Sequence, residues 1–510
     1  MIAKIYSACI NGIDAYEVTV ETYIGEGLPG FSIVGLPDPA IRESRDRIKA
    51  AVKSSGYSFP SRKITINLAP ADIRKEGASF DLPIALSILS SQGIIDFNRL
   101  ADHIFCGELS LDGRLKPIKG ALPIAMSLAQ MGKTKFILPR ENAKEAAIVR
   151  AIETYPAQTL KEIIDFLNNA SVIKPVRVNA LPQLKRSSKY RVDFNDVKGQ
   201  EHVKRGLEIA ASGSHNVLLV GPPGSGKSML AKRLPTIVSD MTLEESLETS
   251  KIHSVAGLLS PNRGLVATRP FRSPHHTISD AALVGGGTNP MPGEISLAHN
   301  GVLFLDEFPQ FRRNVLEVMR QPLEEGSIII SRVYNTARYP AKFMLVAAMN
   351  PCPCGYFTDP KKECHCTPFQ IQRYLSKISG PLLDRIDIHL EVPRLNLENL
   401  TDKRRGEASE AIRLRVDKAR LLQKERYKND GIYCNAHLES KELERYCVLN
   451  KESEELLKLA ILELGISARA YDKILKVSRT IADLDGKEMI EAHHISEAIS
   501  YRSLDRNLWA

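Results

Sequence analysis

The stretch Gly221-Pro222-Pro223-Gly224-Ser225-Gly226-Lys227-Ser228 decides how this chain is read. It fits the pattern Gly-x4-Gly-Lys-Ser/Thr, and its surroundings fit as well. Before it, Asn216-Val-Leu-Leu-Val220 is a short apolar run that predicts a buried strand. After it, Met229-Leu-Ala-Lys-Arg-Leu234 is built of helix formers. Glycines here let successive backbone N–H groups face a phosphate at a helix N-terminus, whose dipole favours anions. Lys227 can then reach the β- and γ-phosphates, and Ser228 can ligate magnesium. A glycine-rich turn carrying Lys-Ser by coincidence is the alternative, and the strand-loop-helix context argues against it. The motif implies a bound nucleoside triphosphate.

Binding alone is not hydrolysis. Gly301-Val-Leu-Phe-Leu-Asp306-Glu307 is an apolar strand ending in two acids, Asp306 placed to hold magnesium and Glu307 to orient or activate water. A third strand, Phe343-Met-Leu-Val-Ala-Ala348, leads to Asn350, whose amide could contact the γ-phosphate or the attacking water. Ser379-Gly-Pro-Leu-Leu-Asp-Arg385-Ile-Asp387 offers an arginine whose fixed charge could neutralise a transition-state phosphate. A salt bridge from Arg385 to Asp384 or Asp387 is the simpler alternative.

A chain of 510 residues is too long for one core and predicts about three domains. Its 43% apolar and 25% charged residues are those of a globular protein. No apolar run approaches the roughly 18 residues that cross a bilayer, and Met1-Ile-Ala-Lys-Ile-Tyr-Ser-Ala lacks a signal-peptide layout. A cytoplasmic protein without a membrane partner is expected. The net charge of +9 favours nucleic acid as a partner without proving it. Asp402–Asp430 carries ten Lys/Arg against six Asp/Glu, either a solvated helical face or a phosphate-contacting surface. Cys352, Cys354, Cys364 and Cys366 form two close thiol pairs nine residues apart that could converge on one tetrahedral zinc; metal-free thiols and a redox switch are the alternatives. Cys9, Cys106, Cys434 and Cys447 are isolated and read as core or surface thiols.

Residues 1–172 alternate strand-like runs (Tyr16–Val20, Phe31–Val34, Lys63–Leu68) with helical segments, among them Asp38–Lys53 with Asp38 as cap and Pro39 in the first turn. A polar, basic stretch over 173–191 reads as a linker. An α/β core follows over 192–394, and long helices fill 395–510, clearest at Leu443–Leu464 and Ala468–Leu484.

The order phosphate loop, Asp-Glu strand, strand-tip Asn350, Arg385 and helical lid resembles an AAA+ ATPase with a parallel sheet. Arg269-Pro-Phe-Arg-Ser-Pro-His-His-Thr-Ile-Ser279, Gly285-Gly-Gly287 and Pro292-Gly-Glu-Ile-Ser-Leu-Ala-His-Asn-Gly-Val-Leu-Phe-Leu-Asp-Glu307 resemble the magnesium-chelatase-like branch. With Phe31-Ser-Ile-Val-Gly-Leu-Pro-Asp38 and Cys352-Pro-Cys-Gly355, the whole chain is similar to the competence protein ComM (YifB) family. The resemblance implies that Asn350 is a first sensor, Arg385 an arginine finger and Arg469, in Ser467-Ala-Arg-Ala-Tyr471, a second sensor. It also implies that the Arg269–Gly287 insert and a hairpin over Ile328–Arg338 point into a ring's pore, with Arg332 and Arg338 as DNA contacts. His275 and His276 read as a surface or packed pair.

The first domain resembles the α+β catalytic domain of Lon proteases (a ribosomal protein S5 domain 2-like fold). Arg74-Lys-Glu-Gly-Ala-Ser79 aligns with the nucleophile segment, but Leu122 falls where the activating lysine would be; Lys119 lies three residues earlier. An unactivated serine is a poor nucleophile, so peptidase activity is not expected. The family implies a magnesium-dependent ATPase that assembles as a ring, a hexamer, on branched or single-stranded DNA. It would act as a helicase and branch-migration motor in recombination during natural transformation. A protein-remodelling ATPase and the motor subunit of a metal chelatase are the rivals.

Overall fold

Alternating apolar and polar residues through Ile2–Asn11 (β1) and Asp14–Gly25 (β2) build an antiparallel hairpin with Asn11 opposite Asp14. The computed structural model describes residues 2–510 apart from 181–183, 185–189, 261–263, 288–289, 333–334, 358, 360, 395–405, 465–466, 503 and 505–510. The hairpin centres a seven-stranded mixed sheet completed by Gly30–Val34 (β3), Lys63–Ala69 (β4), His103–Phe105 (β5), Lys135–Pro139 (β6) and Glu153–Ala157 (β7), in the order β3-β4-β2-β1-β5-β6-β7. The three strands expected from Tyr16, Phe31 and Lys63 are β2, β3 and β4. Helices cover both faces. Ile5, Cys9, Val18 and Val20 pack with Ser44–Ser54 (α1) and Asp81–Ser91 (α2), while Ala8 and Ala15 pack with Ala121–Gln130 (α3). The single helix expected over Asp38–Lys53 is two: Asp38 caps Ile41 N at 2.8 Å as expected, but the chain breaks at Glu43 between Pro39–Arg42 and α1.

The second sheet explains the motif order. Val217–Val220 (β8), Phe271–Arg272 (β9), Val302–Leu305 (β10), Met344–Met349 (β13) and Ile388–Glu391 (β14) form a parallel sheet in the order β9-β10-β13-β8-β14. Strands β8, β10 and β13 are buried along their whole length, the property of a parallel strand covered on both faces. Strand β13 lies between β8 and β10, so Asn350 emerges between the phosphate loop and Asp306. Ser327–Arg332 (β11) and Asn335–Pro340 (β12) form the expected hairpin beside the sheet.

Where sequence composition suggests a free linker, Ile173 and Ala180 are buried, and Val176 bridges Thr154; residues 181–183 and 185–189 of that stretch lie outside the described residues. The two sheet units meet along α3 and Leu243–Val255 (α5). Glu145 is buried there. It accepts from the Leu122 amide at 3.0 Å and from the Ser254 hydroxyl, while Asp14 pairs with Lys251 at 3.0 Å.

The helical remainder packs onto the core by charge as well as by apolar contact. Three arginines of the basic stretch form ion pairs on Ser409–Arg426 (α6): Arg413 with Asp240, Arg415 with Glu208 and Glu407, Arg426 with Asp483. These three hold α6 to its surroundings, while residues 402–405 of the stretch lie outside the described residues. The helix expected over Leu443–Leu464 is interrupted at 447–450 and resumes at Lys451–Leu464 (α7), because the Asn450 side chain accepts from Ser453 N at 2.8 Å and starts a new helix. Ala468–Leu484 (α8) forms as expected, capped by Ser467. Among the described residues no helix is long and apolar enough to cross a membrane.

Candidate nucleotide site

The loop after β8 turns through Gly224 and Gly226, at φ of +78° and +93°, where side-chain-bearing residues are strained. Helix Lys227–Arg233 (α4) starts immediately behind it. Gln200 supports the loop from outside, donating to Ser225 O and Pro393 O at 2.9 Å each. Nothing in the sequence singled Gln200 out.

Lys227 is buried and donates to Gly221 O at 2.6 Å, Pro222 O at 2.9 Å and the Asn350 side-chain oxygen at 3.1 Å. Burial pushes its ammonium down to about 8, against the pull of Asp306. The lysine is thus folded back on neutral carbonyls, a poorly solvated cation that a phosphate would satisfy. Ser228 Oγ donates to Asp306 Oδ2 at 2.6 Å, and the other Asp306 oxygen accepts from Glu307 N at 3.0 Å. A hydroxyl and a carboxylate oxygen side by side form the oxygen donor set that magnesium takes together with phosphates and water. Four predicted residues from three elements are thus brought to one site, Lys227 on Asn350 and Ser228 on Asp306.

Glu307 stands next to them in the left-handed region, φ +52°, with its carboxylate 3.3 Å from His276 Nδ1. His276 also stacks near His275, ring centroids 4.1 Å apart. The histidine pair is thus joined to the site, which sequence spacing did not reveal. Arg385 and Arg469 are bonded elsewhere. Arg385 pairs with Glu324, not with Asp384 or Asp387, and Arg469 pairs with Asp384 at 3.0 Å. Arg269 is turned inward, bonded to Asn300 O at 2.8 Å and Glu245 at 3.1 Å. Arg332 and Arg338 sit exposed on the β11–β12 hairpin.

The cysteine cluster abuts the same loop. Cys352, Cys354, Cys364 and Cys366 bring their sulfurs within 4.8 Å of one another, with measured separations of 3.3, 3.6 and 3.7 Å among the first three. Tetrahedral zinc with bonds of about 2.3 Å sets sulfurs about 3.8 Å apart, so the donor set fits zinc. Gly355 and Phe357 amides point at Cys352 Sγ at 3.2 and 3.3 Å, support that a thiolate would use. A Cβ at Gly355 would stand 2.5 Å from Pro223 Cδ. The cluster and the phosphate loop are in direct contact.

Three family models cover the chain: magnesium chelatase subunit ChlI over residues 193–400, subunit ChlI of Mg-chelatase over 20–142, and the ChlI C-terminal region over 406–502. The competence protein ComM of Haemophilus influenzae is 46% identical over 517 residues, covering 99% of this chain and 98% of that protein. The chain belongs to the ComM/YifB family. YifB of Escherichia coli is 43% identical over 507 residues, covering 99% of this chain and 97% of its own length. A magnesium-chelatase 38 kDa subunit of Cereibacter sphaeroides is 27% identical over 176 residues, 31% of this chain and 52% of that protein. The ComM/YifB chain is thus a magnesium-chelatase-like AAA+ protein, of a family that suggests an oligomeric ATPase using ATP and magnesium.

Proposed function

We propose that this ComM/YifB protein hydrolyses ATP to drive movement on DNA. The observation that carries the reading is the joined set Lys227, Ser228, Asp306 and Asn350, in a chain similar along nearly its whole length to a competence protein. Lys227 would bind the β- and γ-phosphates. Ser228 and Asp306 would hold magnesium, which supplies charge neutralisation at those oxygens. Glu307 would position water and accept its proton, and Asn350 would hold the γ-phosphate side. Arg385 and Arg469, engaged with carboxylates in the single chain, would exchange those partners for phosphate when neighbouring subunits of a ring, a hexamer in this reading, close on the site. Arg332 and Arg338 on the exposed hairpin would meet the DNA backbone, so affinity would fall steeply with salt.

The chain would then consist of a Lon-like first domain (1–172), a linker (173–191), the ATPase core (192–394) and a helical lid (395–510). The first domain is not a peptidase in this reading. Leu122 is buried and offers no base, and the Lys119 stem runs beside Gly257 of the second sheet unit, where a Cβ would meet its Cε at 3.1 Å. A chelatase motor is the less favoured alternative, since the chelatase 38 kDa likeness reaches only 31% of the chain. The test is ATP turnover on single-stranded, duplex and four-way DNA at one salt concentration. Several-fold stimulation by branched or single-stranded DNA, lost with strand displacement in Lys227→Ala, supports the DNA motor. Stimulation by casein with no response to DNA sinks it in favour of protein remodelling.

A further inference from the structure

A cavity of about 680 Å3 opens between the N-terminal ends of β10 and β13 and helix α6. Strands β8, β10 and β13 are parallel, so this is the end of the sheet opposite Gly221–Ser228. Its wall includes Cys434 and His437, with Cys434 Sγ 3.2 Å from His437 Nδ1. Cys434 is only 1% exposed, while His437 as a residue is exposed. Arg420 of α6 and Lys342 stand on the same wall and are the other charged groups acting on the pair. Lys424 and Lys428 stand on that side too. Five acids also line the cavity: Glu245 pairs with Arg269, Glu248 with His299, Asp240 and Asp417 with Arg413, and Glu244 lies near Lys424, so the excess positive charge falls on Arg420, Lys342 and Lys428.

Cys434 differs from the other buried thiols. Burial pushes Cys106 up to about 11 and Cys447 up to about 12, leaving inert thiols. Burial acts on Cys434 too, but His437 and Arg420 override it and bring the thiol down to about 5. The reading of Cys434 as an isolated core thiol therefore gives way to a paired one.

We propose that Cys434 and His437 form a thiolate–imidazolium pair that admits small anionic disulfides to this cavity and exchanges with them. The Cys434 thiolate attacks one sulfur of the incoming disulfide, a new S–S bond forms, the old one breaks, and the other half leaves as a thiolate. The disulfide is the oxidant and Cys434 is the group oxidised, so no further reactant is needed. His437 holds its proton up to the attack and so sets the thiolate fraction; once the thiolate is consumed, the charge that held that proton is gone and it passes to solvent. Arg420, Lys342 and Lys428 favour an anionic partner over a neutral one.

The test uses the full-length chain and 5,5′-dithiobis(2-nitrobenzoate), an aryl disulfide dianion, at pH 6.5, with the modified cysteines mapped by peptide mass. In a Cys352→Ser/Cys354→Ser/Cys364→Ser/Cys366→Ser background, which removes the partly exposed thiols, Cys434 is expected to react at least about tenfold faster than Cys9, Cys106 and Cys447, and the fast phase is expected to vanish on adding Cys434→Ser. His437→Gln should slow it about tenfold at pH 6.5 yet leave the rate at pH 9 within about twofold, a change in pH profile that mere loosening would not produce. Lys428→Ala should slow the dianion about threefold and leave neutral 4,4′-dithiodipyridine unchanged. A Cys434 that labels only after unfolding overturns the proposal, as does a pH profile indifferent to His437→Gln. Equal slowing of both probes by Lys428→Ala overturns the anion preference.

Discussion

His276 Nδ1 lies 3.3 Å from the Glu307 carboxylate, joining the insert after β9 to the tip of the Asp306–Glu307 strand. An imidazole against one oxygen of a carboxylate steers the group toward the insert and away from a water at the γ-phosphate. The insert would thus restrain hydrolysis until something moves it. His276→Ala is expected to raise ATP turnover without DNA about threefold to tenfold and to shrink the stimulation by DNA. Steady-state turnover with and without four-way DNA checks this. Lower basal turnover at unchanged KM would make His276 an orienting group instead.

Glu307→Gln separates binding from chemistry. The amide cannot accept a proton, while Lys227, Ser228 and Asp306 are untouched. Nucleotide affinity should stay within about threefold and turnover should fall about 100-fold or more. Fluorescent-nucleotide titration beside phosphate release gives both numbers.

The buried ammonium of Lys227 makes nucleotide affinity pH-dependent. Its acidity lies near 8 before a phosphate arrives, and a polyanion beside it raises that value, so binding above pH 8 must include proton uptake. Affinity for the triphosphate should weaken as pH rises through about 8, by up to tenfold per unit. Calorimetry at pH 8.5 in buffers of different ionisation enthalpy should reveal the proton, and at pH 6.5 it should not. Absence of uptake at pH 8.5 would show that Lys227 is already fully charged.

The Gly355–Pro223 contact predicts that zinc and nucleotide are linked. Cys352→Ser/Cys354→Ser should abolish the metal and, by freeing the turn at Gly355, raise KM for ATP several-fold while the secondary structure stays intact. Metal analysis of the parent chain is the direct check: no zinc there removes the basis for the linkage.

Legibility in the sequence followed the range of the physics. Buried parallel strands must be apolar runs, and a phosphate loop must hold glycine where φ is positive, so β8, β10, β13 and the loop could be placed from local pattern. The Cys352–Cys366 spacing was local too. The His276–Glu307 pair spans 31 positions, and the contact of Gly355 on Pro223 spans more than a hundred, so only the fold shows them. Arg385 found Glu324 rather than the acids beside it for the same reason: neighbours in sequence on a short turn do not share a face. The Cys434-x-x-His437 pair was a missed signal. Its spacing on the short helix Asn435–His437 places sulfur against imidazole.

Asp387 ties the helical region to the core. Its carboxylate meets Lys473 of α8 at 2.7 Å, the Asn216 amide at 3.0 Å and His215 Nδ1 at 3.5 Å, while β14 starts at the next residue. Burial alone would push this acid up, but Lys473 and His215 outweigh it and hold the carboxyl far below the ordinary carboxylate range. A depressed folded-state value means that the pair's contribution is complete above about pH 4, the unfolded value, and is lost as pH falls toward the folded one. Asp387→Ala strands Lys473 in a buried site and should cost about 3–5 kcal/mol at pH 7. Asp387→Asn keeps the volume and should cost less. The gap between the parent and Asp387→Asn, measured by urea unfolding at pH 7, 4 and 3, should narrow progressively below pH 4. A gap independent of pH would mean that the charge on Asp387 does not hold the two regions together.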